Sequence, residues 1–506
     1  MVQNPSLSNN LRYEEIGEIV SDESSPTFEI FRFKAFHDKS SSPGTILAVE
    51  ITPSRFVIGR VSGSHEHNPH YEAHQLSVKH ALQVQPEHPG EELSFTIYRV
   101  YEVEILDEIQ VIDEKPIVRP AQTMPKAGSK VIIPPRDFIY AFLGLQKEIK
   151  EGLNLGKLAT SLTQEGDISI VLKREIIQRH IFIGGTTGGG KSYSAKVIAE
   201  EIHKHNIPII FFDTQYEFVP LVEKLKGAVL IPGENYKVSL SSLTPDELEG
   251  LVPTLHNELH KQILTSAFLK IQERKHGGFT NEELLAEIET TATEISGTGK
   301  QADTTKYYVK SRTGYHLKQY NFIGNDFDWT KIVKPSSVIN INCRGINRNR
   351  LQLILAATLR ELQTLRKRGK ILPYVIFVDE AHLFVPQDED SACKQIIREG
   401  VRIGRHNGIC FVLITQSPID IDKKAIRQCN TRFLFAIEPD QLSALQGVKA
   451  DATEEMLNRL PKSPVGTCIL SGTYETIKHA IPLQIRKMET SDADGGQAPD
   501  IFAEVK

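Results

Sequence analysis

Gly185-Thr186-Thr187-Gly188-Gly189-Gly190-Lys191-Ser192 meets the pattern GxxxxGK[ST] at every fixed position. It follows the apolar run Ile181-Phe182-Ile183 and opens a helix-patterned stretch from Ser192 to His205, so the motif sits where a strand turns into a helix. Glycines at such a turn let backbone N–H groups point inward around phosphate oxygens, and the following helix adds its positive N-terminal end. The expected nucleotide contacts are Gly185, Thr186, Thr187, Gly188, Gly189, Gly190, Lys191, Ser192 and the adjoining Tyr193. ATP with Mg²⁺ is the expected ligand: Lys191 bridges the β and γ phosphates, and Ser192 holds the metal.

A second run, Ile371 to Val378, ends in Asp379-Glu380-Ala381-His382, which puts two carboxylates at the end of a buried strand, where the phosphates would lie. Asp379 is expected to act through water on Mg²⁺, and Glu380 to polarise the water that attacks the γ-phosphate. A strand intervenes between the two motifs, and a glutamate beside the metal aspartate typifies the additional-strand branch of P-loop ATPases, which do mechanical work. The next strand, Gly408 to Thr415, runs into Gln416-Ser417-Pro418, so the Gln416 amide stands where it can sense the γ-phosphate.

Around these motifs, apolar runs alternate with long amphipathic segments, the pattern of a parallel sheet wrapped by helices. Core strands are expected at 181–184, 207–212, 338–341, 374–378, 408–414 and 433–437. The fold class is therefore α/β, a RecA-like additional-strand core. Between the second and third strands, Thr244-Pro245-Asp246-Glu247 reads as a capping box with proline at the first helical position, and it opens a helical insertion over about 244–330. Upstream, 45–51 and 95–105 alternate with period two between Gly, Pro and Ser, which reads as a small antiparallel barrel over residues 1–135. Pro116, Pro120, Pro125, Pro134 and Pro135 mark a linker, so the ATPase domain is expected over 136–487 and a mobile or docking tail over 488–506.

The chain has 506 residues, 40% of them apolar and 24% charged, which excludes collagen-like, disordered and disulfide-scaffold classes. A net charge of -5 means that any nucleic-acid contact must come from a local basic surface. The five cysteines form no CxxC pair, and the N-terminal residues lack a basic stretch followed by an apolar one, so reduced cytosol is the expected compartment. No apolar run approaches the ~18 residues of a spanning helix, and no membrane association is expected.

Several separate stretches resemble the HerA family of hexameric DNA-translocating ATPases, relatives of the FtsK pumps. They are Arg179-His180, Asp213-Thr214-Gln215-Tyr216-Glu217-Phe218, Asp379-Glu380-Ala381-His382, Gly404-Arg405-His406-Asn407-Gly408 and Thr415-Gln416-Ser417-Pro418. The resemblance covers nearly the whole chain and implies an N-terminal barrel of the family's type. It also implies a homohexamer, double-stranded DNA as partner, and an effector that is a NurA-like nuclease or a sirtuin-like NAD hydrolase of antiviral defence. On it rest a catalytic role for Glu217 and an intersubunit finger role for Arg402 or Arg405. The chain departs from the family in having Tyr216 where glycine is usual, Gly189 at the usual serine of the loop, and His406-Asn407 where a lysine and an aromatic commonly stand. An ATP-driven translocase and a nucleotide-regulated scaffold for an effector both need the same site, and the sequence leaves the two open.

Two further clusters stand out. His65, His67, His70, His74 and His80 crowd one segment without a cysteine, and they read as a polar loop at the barrel rim. Lys300, Lys306, Lys310, Arg312 and Lys318, with Arg344, Arg348 and Arg350, either form a solvated face or track DNA phosphates from the lining of a pore.

Overall fold

The computed structural model describes residues 13–21, 25–36, 39–67, 98–159, 167–275, 278–324 and 327–490. The chain forms two compact units: Met1–Lys173 with Asp451–Arg459 and Ile469–Gln484, and Arg174–Ala450 with Leu460–Cys468 and Ile485–Lys506.

In the first unit the strands are β1 (Glu15–Val20), β2 (Ile30–Ala35), β3 (Ile46–Thr52), β4 (Arg55–His67), β5 (Tyr98–Ile112), β6 (Lys115–Pro120) and β7 (Lys130–Ile132), followed by the hairpin β8 (Gly152–Leu158) and β9 (Ser169–Lys173). The first seven lie in the order β2-β1-β7-β3-β4-β5-β6, and β2 pairs again with the first half of β5, so six strands close a circuit. Period-two alternation places Phe31, Phe33, Leu47, Val49, Tyr101 and Val103 in one buried core. His65 and His67 end β4, whereas His70, His74 and His80 lie outside the described residues. Among the described residues, no group of three or more His, Cys, Asp or Glu is arranged to hold a metal ion.

In the second unit the strands of the parallel sheet are β10 (Ile181–Gly184), β11 (Ile209–Asp213), β12 (Ala228–Leu230), β13 (Val338–Asn342), β14 (Tyr374–Val378), β15 (Ile409–Thr415) and β16 (Thr431–Leu434). They run parallel in the order β12-β13-β11-β14-β15-β10-β16. Burial on both faces explains why they read as continuous apolar runs. Strands β10 and β14 have the expected bounds, whereas β11 starts at 209 and not 207 and runs on to 213, β13 ends one residue later, β15 is shifted by one residue, and β16 ends at 434 and not 437. The short edge strand β12 carries no pattern of its own, and β16 begins two residues before the expected 433. Arg432 hides it: its guanidinium is buried and donates to the carbonyls of Cys429 and Val448, so a charged residue interrupts the apolar text of a core strand.

Between β12 and β13 come the helices Pro245–Leu251, Glu258–Arg274, Asn281–Ser296 and Lys300–Gln319 and the single turn Trp329–Ile332. The capping box is formed: the Glu247 amide donates to Thr244 Oγ1 and the Thr244 amide to Glu247 Oε2. Residues 488–490, the start of the stretch read as a mobile or docking tail, are hydrogen-bonded to the second unit's own helix. The amides of Met488, Glu489 and Thr490 all donate to side chains of the helix Lys191–Lys204, which offers buried acceptors that the tail's own composition does not announce. Among the described residues, no helix is long and apolar enough to cross a membrane.

Candidate nucleotide site

Parallel pairing brings the C-terminal ends of five strands to one edge of the sheet. β10 delivers the loop 185–190, β11 ends at Asp213, β14 at Asp379-Glu380 and β15 at Gln416, while Ala436 follows β16. β15 lies between the loop strand β10 and the acidic strand β14, which is the additional strand.

The glycines of the loop are there for shape. Gly185 sits at φ 153°, and a Cβ on it would lie 2.7 Å from Phe435 Cβ; Gly190 sits at φ 108°, beside the backbone of Gly466. Cross-strand bonds seat the loop: Thr186 donates its amide and its hydroxyl to Ala436 O, and Thr187 Oγ1 donates to Gln416 Oε1 at 2.8 Å. The Gln416 amide is therefore coupled to the phosphate loop in this structure.

Lys191 opens the helix Lys191–Lys204, is 9% exposed, and donates to Thr186 O at 2.7 Å. Burial pushes its ammonium below the usual lysine range against the pull of Glu380, Glu217 and Asp379. Asp379 is buried and accepts from Thr214 Oγ1 at 2.9 Å; burial, then the charges of Glu380, Glu217 and Asp213, drive its carboxyl well above the ordinary aspartate value. Glu380 holds a left-handed backbone (φ 48°), a strained conformation for a residue with a Cβ. Its Oε2, like Glu217 Oε2, is buried without a hydrogen bond. His382 Nδ1 lies 3.3 Å from that Glu380 oxygen and 3.1 Å from Thr415 Oγ1. Three acids thus face one lysine, an arrangement that a divalent cation relieves.

Asp213 has a different job. Fully buried, it accepts from the amides of Gln215, Glu217 and Phe218 and from Asn340 Nδ2, so it folds the loop that carries Glu217. Tyr216 in that loop has φ 68°, and Arg344 lies over its ring at 5.8 Å. A position of that φ suits glycine without strain, which is why a tyrosine there is unusual. Thr214 and Thr415 stood in the sequence only as letters of quoted stretches, and Asn340 was not legible as a site residue, because an isolated amide carries no spacing signal.

Other expected residues fall elsewhere. The Tyr193 hydroxyl points to the C-terminal segment, where it accepts from the Met488 amide. Arg402 is exposed on the helix Lys394–Asn407, and Arg405 lies one turn further along it. Lys306 pairs with Asp303, Lys310 with Glu289 and Arg348 with Glu389, while Arg312 stacks over Tyr308 and Arg350 over Tyr320. Much of the basic surface is therefore balanced locally by acids or rings.

Fold and site together define an additional-strand P-loop ATPase. The family model for the central domain of the helicase HerA matches residues 153–362. The DNA double-strand break repair helicase HerA of Sulfurisphaera tokodaii is 24% identical over 375 residues, which cover 70% of this chain and 72% of that protein. A probable DNA double-strand break repair helicase HerA of Methanocaldococcus jannaschii is 22% identical, covering 64% of this chain and 74% of its own. Among solved structures, VirB4 of Thermoanaerobacter pseudethanolicus shares the fold with a TM-score of 0.52 at 16% identity, over 69% of this chain and 99% of that one. These likenesses support a HerA-family P-loop ATPase.

Proposed function

We propose that the chain is an ATP-driven motor that moves double-stranded DNA through a homohexameric ring in the cytoplasm, in company with a nuclease or a defence effector. The observation that carries the reading is the desolvated Lys191 facing Asp379, Glu380 and Glu217 beneath a glycine loop seated on the additional-strand sheet. The loop amides and Lys191 would hold phosphate oxygens; Ser192, and Asp379 through water, would hold Mg²⁺, which would neutralise charge on the phosphates. Glu380, whose buried Oε2 has no hydrogen bond of its own, orients the attacking water, with Glu217 beside it. Gln416 reports the γ-phosphate to the loop through Thr187. A neighbour's Arg402 or Arg405 stabilises charge in the transition state. Residues 1–135 form the barrel of the family, and 244–330 the helical insertion.

DNA contacts in such a ring are made by Lys and Arg to phosphates, so duplex DNA is expected to stimulate ATP turnover without regard to sequence. The slope of log K against log salt should be about -0.9 for each phosphate contacted. Turnover indifferent to DNA at every salt concentration would overturn the motor reading in favour of a nucleotide-regulated scaffold ring.

A further inference from the structure

The helix that follows the phosphate loop buries two glutamates, Glu200 at 4% and Glu201 at 1% exposure. Buried carboxylates are costly unless paired and hydrogen-bonded, and here much of the partnering comes from the far end of the chain. Arg486 Nη1 lies 3.0 Å from Glu200 Oε2, and its Nη2 2.7 Å from Glu201 Oε1. Glu200 also accepts from the Glu489 amide and from the amide and hydroxyl of Thr490, at 3.2, 2.8 and 2.5 Å. Burial pushes Glu200 upward, but the bonds from Thr490 and Glu489 and the charge of Arg486 outweigh it and hold the carboxyl below its ordinary value. Lys204 closes the network with bonds to Glu201 and Glu489.

The other end of the same segment meets the loop. Ile485 donates to Gly466 O at 2.9 Å, and Gly466 donates to Gly189 O at 3.2 Å. Midway, the Met488 amide donates to the hydroxyl of Tyr193, two residues past Lys191, at 2.7 Å. Residues 485–490 therefore reach the phosphate loop through Gly466, the first turn of its helix through Tyr193, and the third turn through Glu200 and Glu201. None of these contacts lies among the reacting groups.

We propose that Arg486, Glu200 and Tyr193 are positioning residues: the segment Ile485–Thr490 clamps the phosphate loop to its helix in the arrangement that accepts nucleotide, so nucleotide affinity depends on the C-terminal segment. The proposal rests on the reading of the loop as a nucleotide site. Loss of the clamp weakens binding and leaves the reacting groups intact, so KM rises and kcat holds.

Three full-length variants test this: Arg486→Met removes the charge, Arg486→Lys keeps it, and Tyr193→Phe removes one hydrogen-bond acceptor without touching the charged network. Two readouts are made on each, hydrogen exchange of the amides 188–191 without nucleotide, and the affinity for a fluorescent ADP analogue. Arg486→Met should weaken the analogue on the order of tenfold, roughly the loss of one charge-assisted contact, with Tyr193→Phe about threefold. Both should speed exchange at the loop, kcat at saturating ATP should stay within about twofold, and Arg486→Lys should recover most of the affinity. If Arg486→Met does not fold, Tyr193→Phe decides alone. Unchanged exchange or unchanged affinity in a folded variant, with only the melting temperature lowered, overturns the proposal. Failure of the wild type to bind the analogue would instead sink the nucleotide reading itself, and the exchange measurement separates the two.

Discussion

Lys191 is buried and Glu380 part-buried beside the phosphate loop, yet the site uses them oppositely. Lys191 is the loop's one point charge for phosphate, whereas Glu380 is a carboxylate whose buried Oε2 has no hydrogen bond, set in a strained backbone beside another acid. Lys191→Ala is therefore expected to abolish turnover and weaken nucleotide binding together. Glu380→Gln should keep the affinity and lower kcat by about a hundredfold or more, the scale of a lost general base. It should also melt no lower than wild type, since it relieves repulsion with Asp379. Calorimetric titration with kinetics checks the division, and equal losses of affinity in the two variants would refute it. The pair was legible in the sequence because each member sits in a fixed-spacing motif. Asp213 was legible only as a motif letter; that it shapes the loop by accepting four hydrogen bonds emerges from the folded backbone.

At the scale of elements, two stretches that are 224 residues apart in sequence prove to be one packing unit. His180, just before β10, accepts the Phe411 amide of β15 at Nδ1, and a Cβ on Gly404 would lie 3.0 Å from its ring. Gly404 is small because the imidazole fills its place. Burial lowers the His180 pKa to about 4, despite a bond to the Val401 carbonyl that favours the charged form. The neutral ring is thus favoured in the fold, and its contribution to stability is whole above the unfolded histidine pKa of about 6.5 and is lost as pH falls toward 4. By pH 5 the loss should be about 2 kcal/mol. Urea unfolding of wild type against His180→Asn between pH 7.5 and 5 checks this: the variant should start less stable and show a shallower decline. Parallel slopes would assign the acid sensitivity elsewhere. Strands β10 and β14 were read with their observed bounds because both faces are buried and the apolar run is uninterrupted. β16 was misplaced by two residues because Arg432 satisfies its guanidinium on backbone carbonyls, a solution no local pattern announces.

For the whole molecule, the proposed finger role of Arg402 or Arg405, both on the helix Lys394–Asn407, is a role in a neighbour's site and is tested across subunits. Mixing subunits carrying Lys191→Ala with subunits carrying Arg402→Ala or Arg405→Ala should restore ATP turnover above either alone, because some interfaces regain both parts. With mixing verified by an independent label, no gain for either arginine would remove the assignment in trans. What the sequence by itself determined is the local chemistry: the glycine loop, the paired acids, the capping box and the buried strands, each written in spacing or in continuous apolar text. Only the tertiary structure decided which of these meet. Strand order put β15 between β10 and β14, so Gln416 reaches Thr187. Burial turned Asp213 into a scaffold for its loop, and the carboxylates of Glu200 and Glu201 drew residues 485–490 onto the phosphate-loop helix. Sequence spacing records which groups one element carries. The cost of leaving a buried charge or amide unpaired is met by whatever partner the fold brings near, and that partner has no fixed distance along the chain.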